Sequence, residues 1–311
     1  MPTLSVVIPV FNAESTLAAL CSALKAALPN VSSDYEIILV EDCSRDRSWE
    51  VIEALAKNDP RIRGIALGRN FGQHNALLCG IRAARHEIVV TLDDDLQHPA
   101  SQIRVLLDKL AEGFDVVYGV PRVEQHSFLR NVATRMTKLA LRGAIGVEAA
   151  RNVSAFRAFH THLRRGFINF QSPSVSIDVL LTWSTSKFSS VKVEHRPRAN
   201  GASNYTIRKL VSHAFNLVTG FSALPLKLAS VVGFLLTIFG LVILTYVLVK
   251  YFSNDGNVPG FAFLASIITI FSGTQMFVMG IFGEYLARIH FRTLNRPPYF
   301  VREATDGEGN T

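Results

Sequence analysis

Two long stretches without a charge decide what the second half of this chain can become. No Asp, Glu, Lys or Arg lies between Leu228 and Val249, and none lies between Gly256 and Gly283. A helix needs about 20 apolar residues to cross a bilayer, and each run is long enough. Lipid offers the backbone no water to bond, so such runs must close their hydrogen bonds internally as helices. A buried core helix of a soluble domain is the alternative for each, and uninterrupted apolar runs of this length disfavour it. Gly233, Gly240, Gly273, Gly280 and Gly283 are residues small enough for two such helices to approach closely.

Charge follows the same plan. The chain has 311 residues and a formal net charge of +7, and its mean hydropathy of +0.24 is concentrated in the two runs. Arg196, Arg198, Arg208, Lys209 and Lys227 precede the first run, and Arg288, Arg292, Arg296 and Arg302 follow the second. The connection holds little beyond Lys250 and Asp255. The positive-inside rule puts both flanks in the cytoplasm and the short connection outside. The N-terminus has no charged leader and no cleavage site, so the first 200 or so residues are expected to stay in the cytoplasm. Cys21, Cys43 and Cys79 lack metal spacing and read as reduced thiols of a cytosolic domain. The basic excess is absorbed by the membrane flanks, and no nucleic-acid partner is expected.

Before the first run, Ile207, Leu210, Val211, Ala214, Val218 and Phe221 fall on one helical face. Arg208, Lys209, Ser212, His213, Asn216 and Thr219 fall largely on the other. This pattern reads as an amphipathic helix lying on the membrane, with a core helix of the soluble domain as the alternative. The division expected is a domain over residues 1–205, an interfacial segment over 206–225, a two-helix membrane domain over 226–290 and a cytoplasmic tail over 291–311. The polar end from Glu303 to Thr311 reads as disordered.

The first part of the chain alternates strand and helix. Leu4–Val10, Tyr35–Val40, Ile62–Leu67, Ile88–Leu92 and Val116–Gly119 read as strands, with helices over about 14–28, 47–57, 74–85 and 101–112 between them. That order predicts a Rossmann-like, mostly parallel sheet with helices on both faces. Carboxylates close two of the strands on one edge of the sheet, Asp42 at one and Asp93-Asp94-Asp95 at the other. Open α/β sheets bind ligands at that edge. Three carboxylates at the end of a buried strand need a neutralising partner. A hard divalent cation, Mg²⁺ or Mn²⁺, carrying a phosphate-bearing ligand is the simplest one. The ordinary alternatives are an acidic solvated turn, with Asp95 or His98 capping the next helix, and a helix-capping role for Asp42. No GxGxxG follows the first strand and no GxxxxGK[ST] occurs, which argues against a dinucleotide oxidoreductase and a P-loop NTPase.

Four segments in order carry a resemblance. Val6-Val7-Ile8-Pro9-Val10-Phe11-Asn12, Val40-Glu41-Asp42-Cys43-Ser44-Arg45-Asp46 and Asp93-Asp94-Asp95-Leu96-Gln97-His98-Pro99 resemble successive motifs of family 2 glycosyltransferases with a GT-A fold. Leu67-Gly68-Arg69-Asn70-Phe71-Gly72-Gln73-His74 narrows the resemblance to the polyprenyl-phosphate branch, as do Gly283-Glu284-Tyr285-Leu286-Ala287-Arg288-Ile289 and Arg296-Pro297-Pro298-Tyr299-Phe300-Val301. The resemblance extends over about residues 3–302. It implies a nucleotide-sugar donor, with a lean to UDP, and a polyprenyl phosphate acceptor at the cytoplasmic face of the inner membrane. By the same resemblance Asp42 contacts the donor's uracil or ribose, Pro9 and Asn12 line the nucleotide cleft, and Asp94, Arg69 and Gln73 lie on the donor side. Asp93 and Asp95 then flank Mg²⁺ or Mn²⁺, with Gln97 in the same metal environment. Arg130 and Thr134 resemble the pair that holds lipid phosphate, and Arg198 belongs to a segment resembling R-x-x-G-x-S-K-Y. A homotetramer is the family expectation.

Two departures from the family pattern bear on the chemistry. Many relatives carry an Asp just before Phe156-Arg157, whereas Ala149 to Ala155 holds no carboxylate here. Transfer to an alcohol needs a general base. A phosphate is already anionic, because its second pKa is about 6, so the missing Asp favours a phosphate nucleophile. Asn204 stands where relatives have Lys, so one cationic contact is either missing or supplied by Arg208 or Lys209. Arg122 is a further phosphate candidate, since such acceptors call for cationic clamps, and Arg151 is a candidate for contact with phosphate or with a donor carboxylate. The expected reaction is inverting, metal-dependent sugar transfer to a polyprenyl phosphate, for cell-envelope glycans. The competing expectations are a catalytically inactive scaffold or lipid-linked sugar binder and, more remotely, a soluble metal-dependent phosphotransferase. A processive synthase would want a Q-x-x-R-W motif, which is not found around Trp183.

Overall fold

The computed structural model describes residues 1–121, 153–172, 175–196, 224–253, 260–294 and 296–306. The chain divides into two compact units, one made of residues Met1–Ser212 and Asn295–Thr311, the other of His213–Leu294.

In the first unit the strands are β1 (Thr3–Val10), β2 (Asp34–Glu41), β3 (Ile62–Leu67), β4 (Ile88–Thr91), β5 (Val116–Pro121), β6 (Arg157–His160), β7 (Phe188–Val193) and β8 (Val301–Ala304). The helices are α1 (Leu17–Ala27), α2 (Ser48–Asn58), α3 (Gln73–Ala83), α4 (Ile103–Leu110) and α5 (Ile177–Thr182). One eight-stranded sheet runs β7-β5-β6-β4-β1-β2-β3-β8. Pairs β1–β2, β1–β4, β2–β3 and β5–β7 are parallel. Pairs β4–β6, β5–β6 and β3–β8 are antiparallel.

Side-chain alternation explains the layers. Along β1, Leu4, Val6, Ile8 and Val10 enter one buried cluster with α1, α2 and α4, while Val7 enters the other with α3 and α5. Strand β2 splits in the same way, Ile37 and Leu39 against Ile38 and Val40. Both faces are covered, so these strands read as continuous apolar runs. Gly80 lets α3 lie close on the sheet, since a Cβ there would overlap Val7. The chain passes from β1 outward to β2 and β3, then returns to β4 on the other side of β1. The edge beyond β1 and β4 is therefore the topological switch point where such sheets bind ligands.

The five expected strands and four expected helices are present with ends shifted by a few residues. The C-terminus departs from expectation. The segment from Glu303 was read as the start of a disordered tail, but Val301–Ala304 pairs with β3 and Arg63 ties down Asp306 at 2.6 Å. Polarity misled here because an edge strand keeps its charged side chains in water while its backbone joins the ladder.

The second unit holds α6 (Leu224–Ser253) and α7 (Phe261–Thr293), which pack on each other. A Cβ at Gly240 would sit 3.4 Å from Phe271 Cζ, ordinary contact at a close helix approach. Within α6, Leu226–Tyr246 has a mean hydropathy of 2.5 and is only 6% buried, and it is the one span long and apolar enough to cross a membrane among the described residues. Ser230, Thr237, Thr245 and Thr274 bond back to carbonyls one turn earlier, which keeps their hydroxyls satisfied within the helix. The amphipathic segment expected over 206–225 lies outside the described residues up to 223.

Candidate active site

Among the described residues three other than glycine have positive φ, and all lie beyond strand ends on one edge of the sheet. They are Asn12 (φ 54°) after β1, Cys43 (φ 57°) after β2 and Leu96 (φ 61°) after β4. The left-handed region is uncommon for side chains with a Cβ and more so for a bulky Leu. Each such residue costs on the order of 1–3 kcal/mol and persists where surrounding contacts over-determine it. Here those contacts are visible. Asn12 N–H donates to Ser44 Oγ at 3.0 Å, and Asn12 Oδ1 accepts from Arg45 N–H at 2.8 Å. Phe11 N–H donates to Asp94 Oδ2 at 3.1 Å, which bridges the loops after β1 and β4.

Asp42 directly follows β2 and is almost fully buried, at 3% exposure. Its Oδ1 accepts from Phe71 N–H at 2.7 Å and its Oδ2 from Gly72 N–H at 2.8 Å. Burial raises its carboxyl above the ordinary carboxylate range, the two amides pull it down, and Glu41 adds to the rise. Gly72 has φ 95° and opens α3, a backbone turn that a Cβ would strain. Asp42 does not cap α2, whose N-cap is Arg47. Neither Asp95 nor His98 caps the short 3₁₀ turn Ala100–Gln102, which follows Pro99 without a side-chain cap.

The acidic triplet lies half-buried past β4. Gln73 Nε2 donates to Asp93 Oδ1 at 2.6 Å, and Asp95 Oδ1 accepts from Gln97 N–H at 3.1 Å. Gln97 O accepts in turn from Arg196 N–H at 2.9 Å, so the chain beyond β7 closes over this turn. The edge thus gathers Pro9, Asn12, Asp42, Gln73, Asp93, Asp94, Asp95 and Gln97. Arg69 lies on the same loop as Gln73, its guanidinium 4.6 Å from the Phe71 ring centroid.

For a metal, the donors on offer are carboxylate oxygens, which suit Mg²⁺ or Mn²⁺. Among the described residues no group of three His, Cys, Asp or Glu side chains is arranged around one point. Asp93 and Asp95 fit a site that is completed by substrate phosphate and water, the usual arrangement for Mg²⁺.

Two features had little signal in the sequence. The amides of Phe71 and Gly72 carry no side-chain mark beyond the glycine itself. His98 is buried, stacked on Phe156 with centroids 5.1 Å apart and edge-on to His195 at 5.1 Å. Burial, with the neighbouring His195, lowers its pKa to about 4, so it is a neutral packing group. Arg157, beside Phe156, is buried against Asp178, which also accepts from Tyr118 Oη at 3.0 Å. Arg122, Arg130, Thr134, Arg151, Arg198, Asn204, Arg208 and Lys209 lie outside the described residues.

Comparison with known proteins agrees with this geometry. The profile of glycosyl transferase family 2 matches residues 5–169. An undecaprenyl-phosphate 4-deoxy-4-formamido-L-arabinose transferase of Shewanella sediminis is 34% identical, over 98% of this chain and 93% of its own. The transferase of the same name from Yersinia enterocolitica is 33% identical, over 98% of this chain and 94% of its own. Among solved structures, glucosyl-3-phosphoglycerate synthase of Mycobacterium tuberculosis, with Mn²⁺, UDP-glucose and phosphoglyceric acid, superposes with a TM-score of 0.52. It shares 18% identity and covers 70% of this chain and 78% of its own, a likeness of fold.

Proposed function

The chain belongs to glycosyl transferase family 2, and from that premise we propose that it transfers a sugar from a nucleoside diphosphate, UDP by preference, to a polyprenyl phosphate at the cytoplasmic face of a membrane. The observation that carries the acceptor is the 34% identity to an undecaprenyl-phosphate sugar transferase over 98% of this chain. The acidic strand end fits the donor half. Asp42, with the Phe71 and Gly72 loop it holds, forms the nucleotide side of the site. Pro9, Asn12 and Asp94 line the cleft beside it, and Arg69 and Gln73 border it from the α3 loop. Asp93 and Asp95, with Gln97, would hold Mg²⁺ or Mn²⁺ against the diphosphate. A cation there offsets the charge of the departing nucleotide.

The acceptor step needs little from the protein beyond orientation. A phosphate oxygen is already a nucleophile near neutral pH, because its second pKa is about 6. The stretch Ala149–Ala155 without a carboxylate suits such an acceptor. In-line attack on the anomeric carbon forms the new C–O bond as the bond to the nucleotide breaks, and it inverts the configuration. Arg130, Thr134 and Arg198 are assigned to hold the lipid phosphate, a task for forked or point cations. The apolar spans α6 and α7 anchor the enzyme beside its lipid, as a homo-oligomer in the family manner.

The test is transfer of radiolabelled sugar to undecaprenyl phosphate by the detergent-purified full chain. A panel of nucleotide sugars is offered with Mn²⁺ or Mg²⁺, and Asp95→Ala runs alongside. An organic-extractable product made by wild type and not by the variant supports the reading and identifies the sugar. Nucleotide binding without turnover on any donor replaces it with the inactive sugar-binding scaffold.

A further inference from the structure

We propose that Tyr299 and Phe300, which precede β8, are positioning residues for the donor site. This rests on the reading of Asp42 and Asp93 as the donor half of the site. The segment reaches the chain's far end in sequence, yet it packs behind the loop over residues 68–73 in space.

Phe300 fixes the start of that loop. Gly68 N–H donates to Phe300 O at 2.9 Å. A Cβ at Gly68 would lie 2.7 Å from Phe300 Cδ1, so the ring rests directly on the glycine. Phe300 is 63% exposed, and its placement here is not explained by burial of its own surface. Tyr299 fixes the helix that ends the loop. Its hydroxyl accepts from Arg82 Nη1 at 3.4 Å, and the Arg82 guanidinium sits 5.6 Å from its ring centroid. The Cys79 thiol lies beside the same hydroxyl. Cys79 and Arg82 both belong to α3, and Phe71 packs on the same buried cluster as Tyr299.

Everything the loop gives to the site lies between these two anchors. Phe71 N–H and Gly72 N–H go to Asp42, and Gln73 Nε2 goes to Asp93. A loop held at its start by Phe300, and through α3 by Tyr299, presents those three donors in a single arrangement. Strand β8 has its own attachments, through Ile65 opposite Ala304, Gly64 N–H to Thr305 Oγ1 at 2.9 Å and Arg63 to Asp306. Trimming the Phe300 or Tyr299 side chain leaves those in place, which separates positioning from folding of the strand.

The experiment uses the full chain in detergent with UDP and Mn²⁺ as the probe. Hydrogen exchange of peptides over 68–76 and over 301–306 is followed in wild type, Phe300→Ala, Tyr299→Ala and Tyr299→Phe. The alanine variants are expected to exchange faster over 68–76 with 301–306 unchanged. They bind UDP about tenfold more weakly and raise the donor KM by a similar factor, while kcat at saturating donor stays within about twofold, since a misplaced binding group acts first on positioning. Tyr299→Phe keeps the ring under Arg82 and stays near wild type. Unchanged exchange over 68–76 in both alanine variants overturns the proposal. Equal acceleration over 301–306 also overturns it, by reducing the segment to a fold element. A wild-type protein that binds no UDP refutes the donor-site reading instead, and the exchange data still decide whether the loop is clamped.

Discussion

Gln73 Nε2 lies 2.6 Å from Asp93 Oδ1 and so joins the first residue of α3 to the end of β4. A neutral amide in that position supports Asp93 without competing for a cation. Gln73→Glu would set a second carboxylate against it, and like charges at that range disfavour ionisation of both. Transfer by Gln73→Glu is expected to fall about tenfold at fixed Mn²⁺ and to recover partly at higher Mn²⁺. Gln73→Ala should lose only a few-fold, as expected for one hydrogen bond of about 1 kcal/mol. A metal titration of activity for the three proteins checks the order.

Asp93→Asn and Asp95→Asn each keep the shape of the turn and remove a charge from it. Turnover is expected to drop by about 10²–10³, the range seen when one preorganised electrostatic partner is deleted. The thermal midpoint should stay within about 2 °C, because half-exposed carboxylates contribute little to stability. Chelation with EDTA should abolish wild-type transfer and added Mn²⁺ should restore it. Full activity after exhaustive chelation would remove the metal from the scheme.

The parts of this fold that could be read in advance are those written in apolar periodicity. Strands β1 to β4 are buried on both faces, so Val6 to Val10 and Ile37 to Val40 appear as unbroken runs, and acidic residues follow them at the edge where such sheets bind ligands. Strands β6 and β7 were missed for the opposite reason. Arg157-Ala158-Phe159-His160 and Phe188-Ser189-Ser190-Val191 mix polar and apolar residues, and only pairing with β4 and β5 makes them strands. Asp42 stands out in the sequence as a carboxylate at a strand end, but its partners are the amides of Phe71 and Gly72, and backbone donors leave no trace in residue identity. The β8 clasp was hidden further, because its partner β3 lies far away along the chain.

The buried group of Arg157, Asp178 and Tyr118 ties β6 and β5 to α5. Arg157 is 2% exposed and Asp178 5%. Asp178→Ala leaves an uncompensated guanidinium in the core and is expected to cost about 3–5 kcal/mol. Replacing both members together, as Arg157→Met with Asp178→Leu, should recover much of that loss, because neither charge then remains buried. Thermal unfolding of the single and double variants measures it.

Asp59 gives the fold a defined response to acid. Hydrogen bonds from the Arg61 side chain, and then from Lys25, hold its carboxyl well below the usual range. A carboxyl depressed in the folded state stabilises it above the unfolded value of about 3.9 and loses that contribution as pH falls through the folded value. Asp59→Asn should therefore lower the thermal midpoint by about 4 °C near pH 7. The gap should narrow below about pH 4, where wild type begins to lose the same interaction. A constant gap from pH 7 to pH 3 would show that Asp59 acts through neutral hydrogen bonding alone.

Strand β8 also constrains how the chain can sit in a bilayer. Residues 301–304 pair with β3, so they occupy the same compartment as residues 1–121. If α6 crosses the membrane, the chain must cross back before β8, and α7 is the segment between them with the length to do so. At about 1.5 Å per residue, a helix as long as Phe261–Thr293 exceeds the hydrocarbon thickness of about 30 Å. We propose on this ground that α7 is the returning crossing, which would put both ends of the chain on one side, as the basic flanks also suggest. Single cysteines introduced at Asn257 and at Arg302 test this in a Cys43→Ser background, where Cys21 and Cys79 are buried. In intact spheroplasts a membrane-impermeant maleimide should label Asn257→Cys and leave Arg302→Cys untouched until the membrane is opened. Labelling of Arg302→Cys in sealed spheroplasts would be incompatible with β8 joining a cytoplasmic sheet, and the assignment of compartments would have to be reversed or the second crossing withdrawn.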